Sequence, residues 1–564
     1  MKYSNWNIGE FDRDTAVKFC RDGVNPLVSV LLVARGVTDI ETVQSMVGDE
    51  HSFLHDPYLM ADMDKAVSRI KSAVETGERI AVFGDYDVDG MTSTVVLVLW
   101  LQSQNASYDY YIPSRSENDG YGLNSSALDK MKADGITLVV TVDCGITALE
   151  EAQHAKSLGL DLIITDHHEC RSTLPDAVAV INPKRSDCDY PDKSLAGVGV
   201  AFKLVCALEG DYASDSVFNK FGEFAAIGTV ADVMPVSGEN RTIIRRGIKI
   251  IRENPSPGLR CLLKEVGVEP SKVTSTTIGY TLAPRLNAAG RMGNPNLSVK
   301  LLLAESDRDA LDFATELCRL NTERRDLELG IYEQAITMAA DAESDAPIVI
   351  SDYDWHQGVT GIVASKMADH YRVPVIILSI DEHGIARGSC RSANNFDLYT
   401  SVRLCEDILI DYGGHAKAAG ITIKNENIDE FRTRITANYR SSVSADIVQG
   451  LSVDFEVEKP ELLTIKNIEA LDCLEPFGND NPSPCLCMKA AELLSAQSIG
   501  GGKHSRMKIK KSGTVLDCIF FSVPKESLGI SKGMPVDVAF EPQINEFRGQ
   551  ISVQLQLCDI RAAK

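Results

Sequence analysis

Three short apolar runs in the first third of the chain each break off into acid or imidazole. Ala81-Val82-Phe83-Gly84 leads into Asp85-Tyr86-Asp87-Val88-Asp89-Gly90, residues 138–142 lead into Asp143-Cys144-Gly145, and residues 162–165 into Asp166-His167-His168. With Tyr110-Tyr111-Ile112 and Ala177-Val178-Ala179-Val180-Ile181 they alternate with helical stretches, which is the pattern of a parallel sheet with helices on its faces. In an open sheet of that kind, ligands lie beyond the carboxyl ends of the strands. Seven acidic or imidazole side chains are therefore expected to share one small space.

Carboxylates packed that closely repel and stay ionised together only around a cation. Oxygen-rich ligation with one or two imidazoles suits Mn²⁺ or Mg²⁺ better than Zn²⁺. Asp85, Asp87 and Asp89 would share a side if the segment were extended, although Gly90 suggests that the strand has already turned. Asp232, an acid in the apolar context Gly228-Thr229-Val230-Ala231-Asp232-Val233-Met234-Pro235, is a candidate further ligand. A lone Asp at a strand end is usually the N-cap of the next helix, and His167 or His168 alone could be a satisfied, half-buried group. Three clusters together outweigh that bland reading. An EF-hand fails, since Val96 stands where the loop needs its terminal Glu.

The rest of the chain divides by composition. Residues 1–75 carry helical spacing (Leu27, Val30, Leu31, Ala34) and read as an N-terminal helical cover; residues 76–303 hold the sheet and a mainly helical tail. Between 304 and 345 apolar residues recur at Phe313, Leu317, Leu320, Leu327, Ile331, Ala335 and Met338 without proline up to the close of the stretch, predicting one connecting helix. Strand-like runs resume at Ile348-Val349-Ile350 in a second α/β domain (346–440), and the alternation within 450–564 fits a small all-β barrel. Eighty Asp+Glu against 57 Lys+Arg, a net of −23, argue against coating nucleic acid by bulk charge, so phosphate binding must come from local patches. The fourteen scattered cysteines show no zinc pattern and read as reduced cytosolic thiols. The first residues show no apolar signal core and the longest apolar run, 95–101, is too short to span a bilayer, so a cytoplasmic chain with no membrane association is expected.

The set D-Y-D-V-D-G, V-D-C-G-I, T-D-H-H and T-V-A-D-V-M-P resembles the four motifs of the DHH phosphoesterase superfamily, in the order and spacing of its single-strand-specific DNA exonucleases. The likeness continues through A-P-R-L-N-A-A-G-R-M (283–292), then W-H-Q-G-V-T-G-I-V-A (355–364), R-G-S-C-R-S (387–392) and G-G-H (413–415), which are similar to the associated DHHA1 domain, and on to an OB-fold. The fold implied is a parallel-sheet DHH domain and a smaller DHHA1 domain joined by a long helix, with a C-terminal OB-fold barrel. The resemblance implies Asp85, Asp87, Asp143, His167 and Asp232 as ligands of Mn²⁺ or Mg²⁺, with Asp89 and His168 as catalytic residues, Asp89 close behind the ligands and His168 near the scissile phosphate. Many members of the superfamily carry His four positions before the first Asp; Ala81 stands there in this chain, and Asp89 is a candidate to complete that ligand set.

Guanidinium forks and glycine-exposed amides suit phosphate, and the candidates for gripping the strand are Arg115, Arg285, Asn287, Arg291, Arg387, Ser389, Arg391, Ser392, Gly414 and His415. Two basic runs, 241–252 and 500–513, each hold five Lys/Arg; the first reads as a solvated face and the second as a DNA-tracking strand of the barrel. The activity implied is 5′→3′ hydrolysis of single-stranded DNA to mononucleotides in repair and recombination. The partners implied are single-strand-binding protein and recombination or repair helicases, and a monomer is expected. Two rivals remain: a superfamily enzyme for oligoribonucleotides, cyclic dinucleotides or pyrophosphate, and a non-catalytic DNA-binding scaffold.

Overall fold

A computed structural model describes residues 3, 5–47, 54–113, 122–210, 215–340, 346–353, 355–442, 450–547 and 549–563. Contacts divide the chain into two units, residues 54–447 and a second made of 1–53 with 448–564.

The larger unit begins with a five-stranded sheet, all parallel, in spatial order Ser107–Tyr111, Arg79–Gly84, Leu138–Val142, Asp161–Thr165, Ala179–Ile181. Alternate residues of its first strand feed opposite layers: Ile80 and Val82 pack into one core, Ala81 and Phe83 into the other. Strand order reverses between Arg79–Gly84 and Leu138–Val142, so their carboxyl ends flank the switch point where an α/β sheet opens a crevice. Helix Val88–Ser103 follows the first strand, with Asp87 as N-cap accepting from Gly90 N at 3.0 Å. Asp85, Asp87 and Asp89 thus do not lie along one strand: the chain has already turned into a helix. That helix is rich in β-branched residues, which carry poor helix propensity. Burial on nearly all sides, against helices Gly197–Glu209 and Asp215–Ala231, overrides the propensity.

Helix Asp307–Met338 spans 32 residues, capped by Ser306 accepting from Asp309 N, about 48 Å at 1.5 Å per residue. Its first half supplies Ala310, Ala314, Leu317 and Leu320 to the first core, and its second half supplies Ile331 and Ala335 to the next. Between them, buried Arg324 bonds Glu328 at 2.6 Å and Asn321 at 3.2–3.3 Å. The helix ends in a mixed sheet ordered Leu409–His415, Ala418–Lys424, Ile385–Arg391, Val375–Ile380, Ile348–Tyr353, with only the last pair parallel.

The smaller unit is a barrel of five strands, Leu486–Ile499, His504–Lys511, Thr514–Phe520, Pro535–Phe547 and Gln550–Ala562, closed where the first pairs with Pro535–Phe547. Closure removes the exposed edges. Helices Arg13–Arg21 and Pro26–Ala34 pack into the barrel's own core, and strand Asn5–Ile8 pairs in parallel with Gly450–Val453. The helical residues before 54 thus join the barrel, whereas helix Met63–Thr76 packs into the core of the parallel-sheet domain. Among the described residues no helix is long and apolar enough to cross a membrane.

Candidate active site

The expected convergence occurs at the sheet's switch point. His167 Nε2 lies 3.2 Å from Asp143 Oδ1, 3.7 Å from Asp232 Oδ2 and 3.9 Å from Asp89 Oδ2. Three groups have ligand atoms all within 4.8 Å of one another: Asp85, Asp87 and Asp143; Asp89, His167 and Asp232; and Asp143, His167 and His168. Asp143 follows its strand with φ +61°, a left-handed conformation that is uncommon for a residue with a side chain and marks functional sites.

Burial and then mutual repulsion govern the charges. Desolvation, with Asp87 next, raises the Asp85 carboxyl to about 8; desolvation and Asp87 raise Asp232 to about 7. Asp89 and Asp143 are pushed well up, first by burial and then by neighbouring carboxylates. Burial, helped by His168, lowers His167 to about 3, so its ring is neutral and able to ligate. Asp85 Oδ1 and Asp143 Oδ1 are buried with no hydrogen-bond partner. Buried polar atoms are normally paired, and a hard divalent cation is the partner this donor set fits.

Two acids are engaged differently. Both Asp89 oxygens accept backbone N–H bonds from the first turn of helix Gly197–Glu209, Gly197 N at 2.7 Å and Val198 N at 2.8 Å, so Asp89 joins that helix to the cluster. Asp166, counted among the seven converging groups but given no role from sequence, is fully enclosed: Oδ1 accepts from His167 N (2.7 Å), His168 N (3.1 Å) and His168 Nδ1 (2.7 Å), and Oδ2 from Ile146 N (2.9 Å). Burial opposes charge on His168, but the Asp166 bond and charge outweigh it and hold that ring at about 9. The available signal was the acid directly before the two histidines at a strand end. Ala81 is buried in the same apolar core as Phe83.

A cleft of about 760 Å³ opens over His167 and His168, walled by Arg387, Ser389, Gly414 and His415 together with Tyr86, Lys184, Gln357 and Thr360. Of the strand-binding candidates, Arg387, Ser389, Gly414 and His415 reach it, with Arg387 steadied by Asp381 at 3.1 Å. Burial, then Arg391 and Lys417, lower the His415 ring. The other candidates among the described residues each bond a neighbouring protein group. Asn287 Oδ1 accepts from Val88 N at 3.2 Å, Arg291 donates to Gly358 O at 3.0 Å, Arg285 to Thr281 O at 2.7 Å, Arg391 to Ser365 Oγ at 3.0 Å and Ser392 to Phe396 O at 2.5 Å. Arg115 lies outside the described residues. In the basic run 241–252, Arg246 stacks 3.6 Å from the Phe218 ring centroid, so that face is not purely solvated. In strand His504–Lys511, Ser505, Met507 and Ile509 face the core while Arg506, Lys508 and Lys510 face out.

A doubly wound sheet whose strand ends gather acids and paired histidines, with a second α/β domain walling the cleft above them, defines a metal-dependent phosphoesterase of the DHH class. The model of the DHH family, N-terminal domain, matches residues 79–229, that of the DHHA1 domain 345–441, and that of the RecJ OB domain 453–559. The single-stranded-DNA-specific exonuclease RecJ of Bacillus subtilis is 39% identical over 98% of this chain and 70% of its own, and that of Escherichia coli 33% over 95% and 96%. The crystal structure of RecJ in complex with Mn²⁺ from Thermus thermophilus superposes with a TM-score of 0.85 at 27% identity, over 99% of this chain and 80% of that one. The chain belongs to the RecJ family.

Proposed function

We propose that this chain is an exonuclease that hydrolyses single-stranded DNA stepwise from its 5′ end to mononucleotides, with Mn²⁺ or Mg²⁺ held by Asp85, Asp87, Asp143, His167 and Asp232. The observation that carries the reading is the set of buried, unpartnered oxygens of Asp85 and Asp143 beside neutral His167, opening into a cleft walled by Arg387 and Ser389. Bound divalent metal lowers the pKa of water and offsets charge on the phosphate oxygens. Asp89, clamped by two helix amides, fixes the spacing of the cluster. His168, kept cationic by Asp166, faces the developing negative charge of the scissile phosphate. Arg387, Ser389, Gly414 and His415 receive the terminal phosphate, and Arg285, Asn287, Arg291, Arg391 and Ser392 shape the walls from behind, with Arg115 assigned near the 5′ end by the family resemblance.

On this reading residues 76–303 cleave, 346–440 recognise the strand end, the 304–345 helix spaces the two, and 450–564 with the N-terminal helices track the strand. The chain works as a cytoplasmic monomer on strands opened by repair or recombination helicases and covered by single-strand-binding protein. The test is time-resolved digestion with Mn²⁺ of single-stranded and duplex DNA labelled at either end, beside RNA and a cyclic dinucleotide. Early mononucleotide release from the 5′ label of single-stranded DNA alone is expected; cleavage confined to RNA or to the cyclic dinucleotide overturns the proposal.

A further inference from the structure

The end of helix Asp215–Ala231 and the turn packed against it carry two exposed apolar side chains on unusual backbone. Helix Asp215–Ala231 runs out at Asp232, whose side chain is 28% exposed where those of Asp89, Asp143 and His167 are 1–7%. Asp232 is therefore the most open of these four, while His168, 46% exposed, opens on the cleft. The next residue, Val233, has φ +56°, and the helix closes by bonds from Val233 N to Val230 O (3.2 Å) and Met234 N to Thr229 O (3.3 Å). Glycine is the usual residue at such a left-handed position, and a β-branched side chain there is strained. Val233 nevertheless stands 67% exposed.

Against the last turn of that helix packs a single π-helical turn, Ile278–Leu282; a Cβ on Gly279 would lie 3.6 Å from Val230 Cγ1. π-turns insert one residue into a helix and recur at functional sites. The residue that follows Gly279 is Tyr280, 83% exposed, more than any other large apolar side chain among the described residues. The same element continues into helix Ala283–Arg291, which is tied to the cluster twice: Asn287 accepts from Val88 N, and a Cβ on Gly290 would lie 2.3 Å from Tyr86 O. Tyr280 thus rides on an element locked to the D-Y-D loop at one end and to the turn before Asp232 at the other.

We propose that Tyr280 is the platform on which a base of the substrate strand stacks a short way 3′ of the scissile bond. The inference rests on the exonuclease reading above and adds to it a binding position for the part of the strand that is not being cleaved. On this proposal the cleft of Arg387 and Ser389 takes the strand's beginning, and the remaining strand leaves over Asp232, which is more open than Asp89, Asp143 and His167, toward Tyr280. An aromatic ring binds any base through its face, which suits an enzyme that must accept every nucleotide in turn. A single exposed Tyr is ordinary; the strained Val233 and the π-turn that flank the route give this one its assignment.

The test uses the full chain with Mn²⁺ and single strands carrying one abasic site, moved from the second to the sixth position from the 5′ end. Tyr280→Ala is expected to raise KM for the intact strand about tenfold, the range of one base stacked on an aromatic ring, with kcat little changed. Tyr280→Phe restores KM. One abasic position raises KM for the unaltered chain by a similar factor and makes no further difference in Tyr280→Ala. An unchanged KM in Tyr280→Ala, or an abasic penalty that persists in full in that variant, overturns the proposal while leaving the exonuclease reading standing. Failure of the unaltered chain to digest any single strand removes both. Being so exposed, Tyr280 carries no core, and a melting curve matching the unaltered chain verifies that the variant is folded.

Discussion

Replacing Gly197 by Ala tests whether the acidic cluster depends on a fixed geometry. Gly197 N and Val198 N hold the two oxygens of Asp89 at 2.7 and 2.8 Å. A methyl group on Gly197 would sit 2.3 Å from Asp143 Oδ1 and 2.6 Å from Asp143 Cβ and Cγ. Non-bonded atoms settle at roughly 3.5 Å, so something must move by about 1 Å. Asp143 is 2% exposed at φ +61° and has nowhere to retreat, and the helix can recoil only by drawing its amides off Asp89. Overpacking of this kind costs about 1–3 kcal/mol, and the better helix propensity of Ala returns up to about 1 kcal/mol. The expected net loss of stability is therefore modest, about 0–2 kcal/mol. The functional loss is larger, since a 1 Å misplacement at a reacting centre costs on the order of 10²-fold in rate. Calorimetric Mn²⁺ titration and single-turnover digestion of an end-labelled strand are expected to show weakened metal binding and a rate down about a hundredfold, with the melting temperature slightly lowered. Gly199→Ala is the control, because the three atoms nearest its methyl all belong to Leu195, the closest being Cβ at 3.3 Å. Wild-type metal affinity and rate in Gly197→Ala, with only the stability gain of an added helix former, would refute the reasoning.

Asp166→Asn keeps the shape but removes the charge facing His168 and sets an amide N–H₂ against either Ile146 N or the histidine donors, at about 1–3 kcal/mol in stability. His168, now held at about 9, falls toward the ordinary 6.5 or so, so the alkaline limb of kcat/KM against pH shifts downward; an unmoved limb contradicts the role given to His168. Without metal, Asp85 and Asp232 keep protons up to about pH 8 and 7. Metal must displace those protons, so Mn²⁺ affinity rises between pH 6 and 8.5, with proton release visible by calorimetry in buffers of different ionisation enthalpy. Glu223 is buried beside Ser256, and desolvation raises its carboxyl from 4.5 to about 6. Its folded state binds the proton more tightly than the unfolded state, so stability is fullest below pH 4.5 and is lost as pH rises through 6, by about 2 kcal/mol. Glu223→Gln escapes that loss and is expected to be the more stable variant by about that amount at pH 8, in denaturant titrations, and to lose the advantage near pH 4.5.

Local pattern made much of this protein legible. Strands at 79–84, 138–142 and 161–165 announce themselves as short apolar runs, and their acids gather because a parallel sheet places every carboxyl end on one edge. The 32-residue helix is visible for the same reason, an uninterrupted apolar spacing that can satisfy only one geometry. Side-chain aim was not legible. Arg285 and Ser392 share the composition of phosphate grips and bond the Thr281 and Phe396 carbonyls, whereas Arg387 and Ser389 line the cleft, because the walls of the fold rather than residue type decide which way a side chain can turn.

Pairing at long range was equally silent. Strand Asn5–Ile8 adds to Gly450–Val453, Trp6 Nε1 donates to Asp559 Oδ2 at 2.9 Å, and Arg35 bonds Asp454 at 2.9 Å. Helices that read as an N-terminal helical cover thereby become part of the barrel's core. The sequence by itself determined which elements exist and which chemistry their ends carry, since both depend on neighbours within a few residues. Which elements meet, how Gly197 comes to lie against Asp143, and how Ile146 N reaches Asp166 Oδ2 were decided only by tertiary packing, where contacts between residues far apart in the chain fix the atoms that local propensity leaves free.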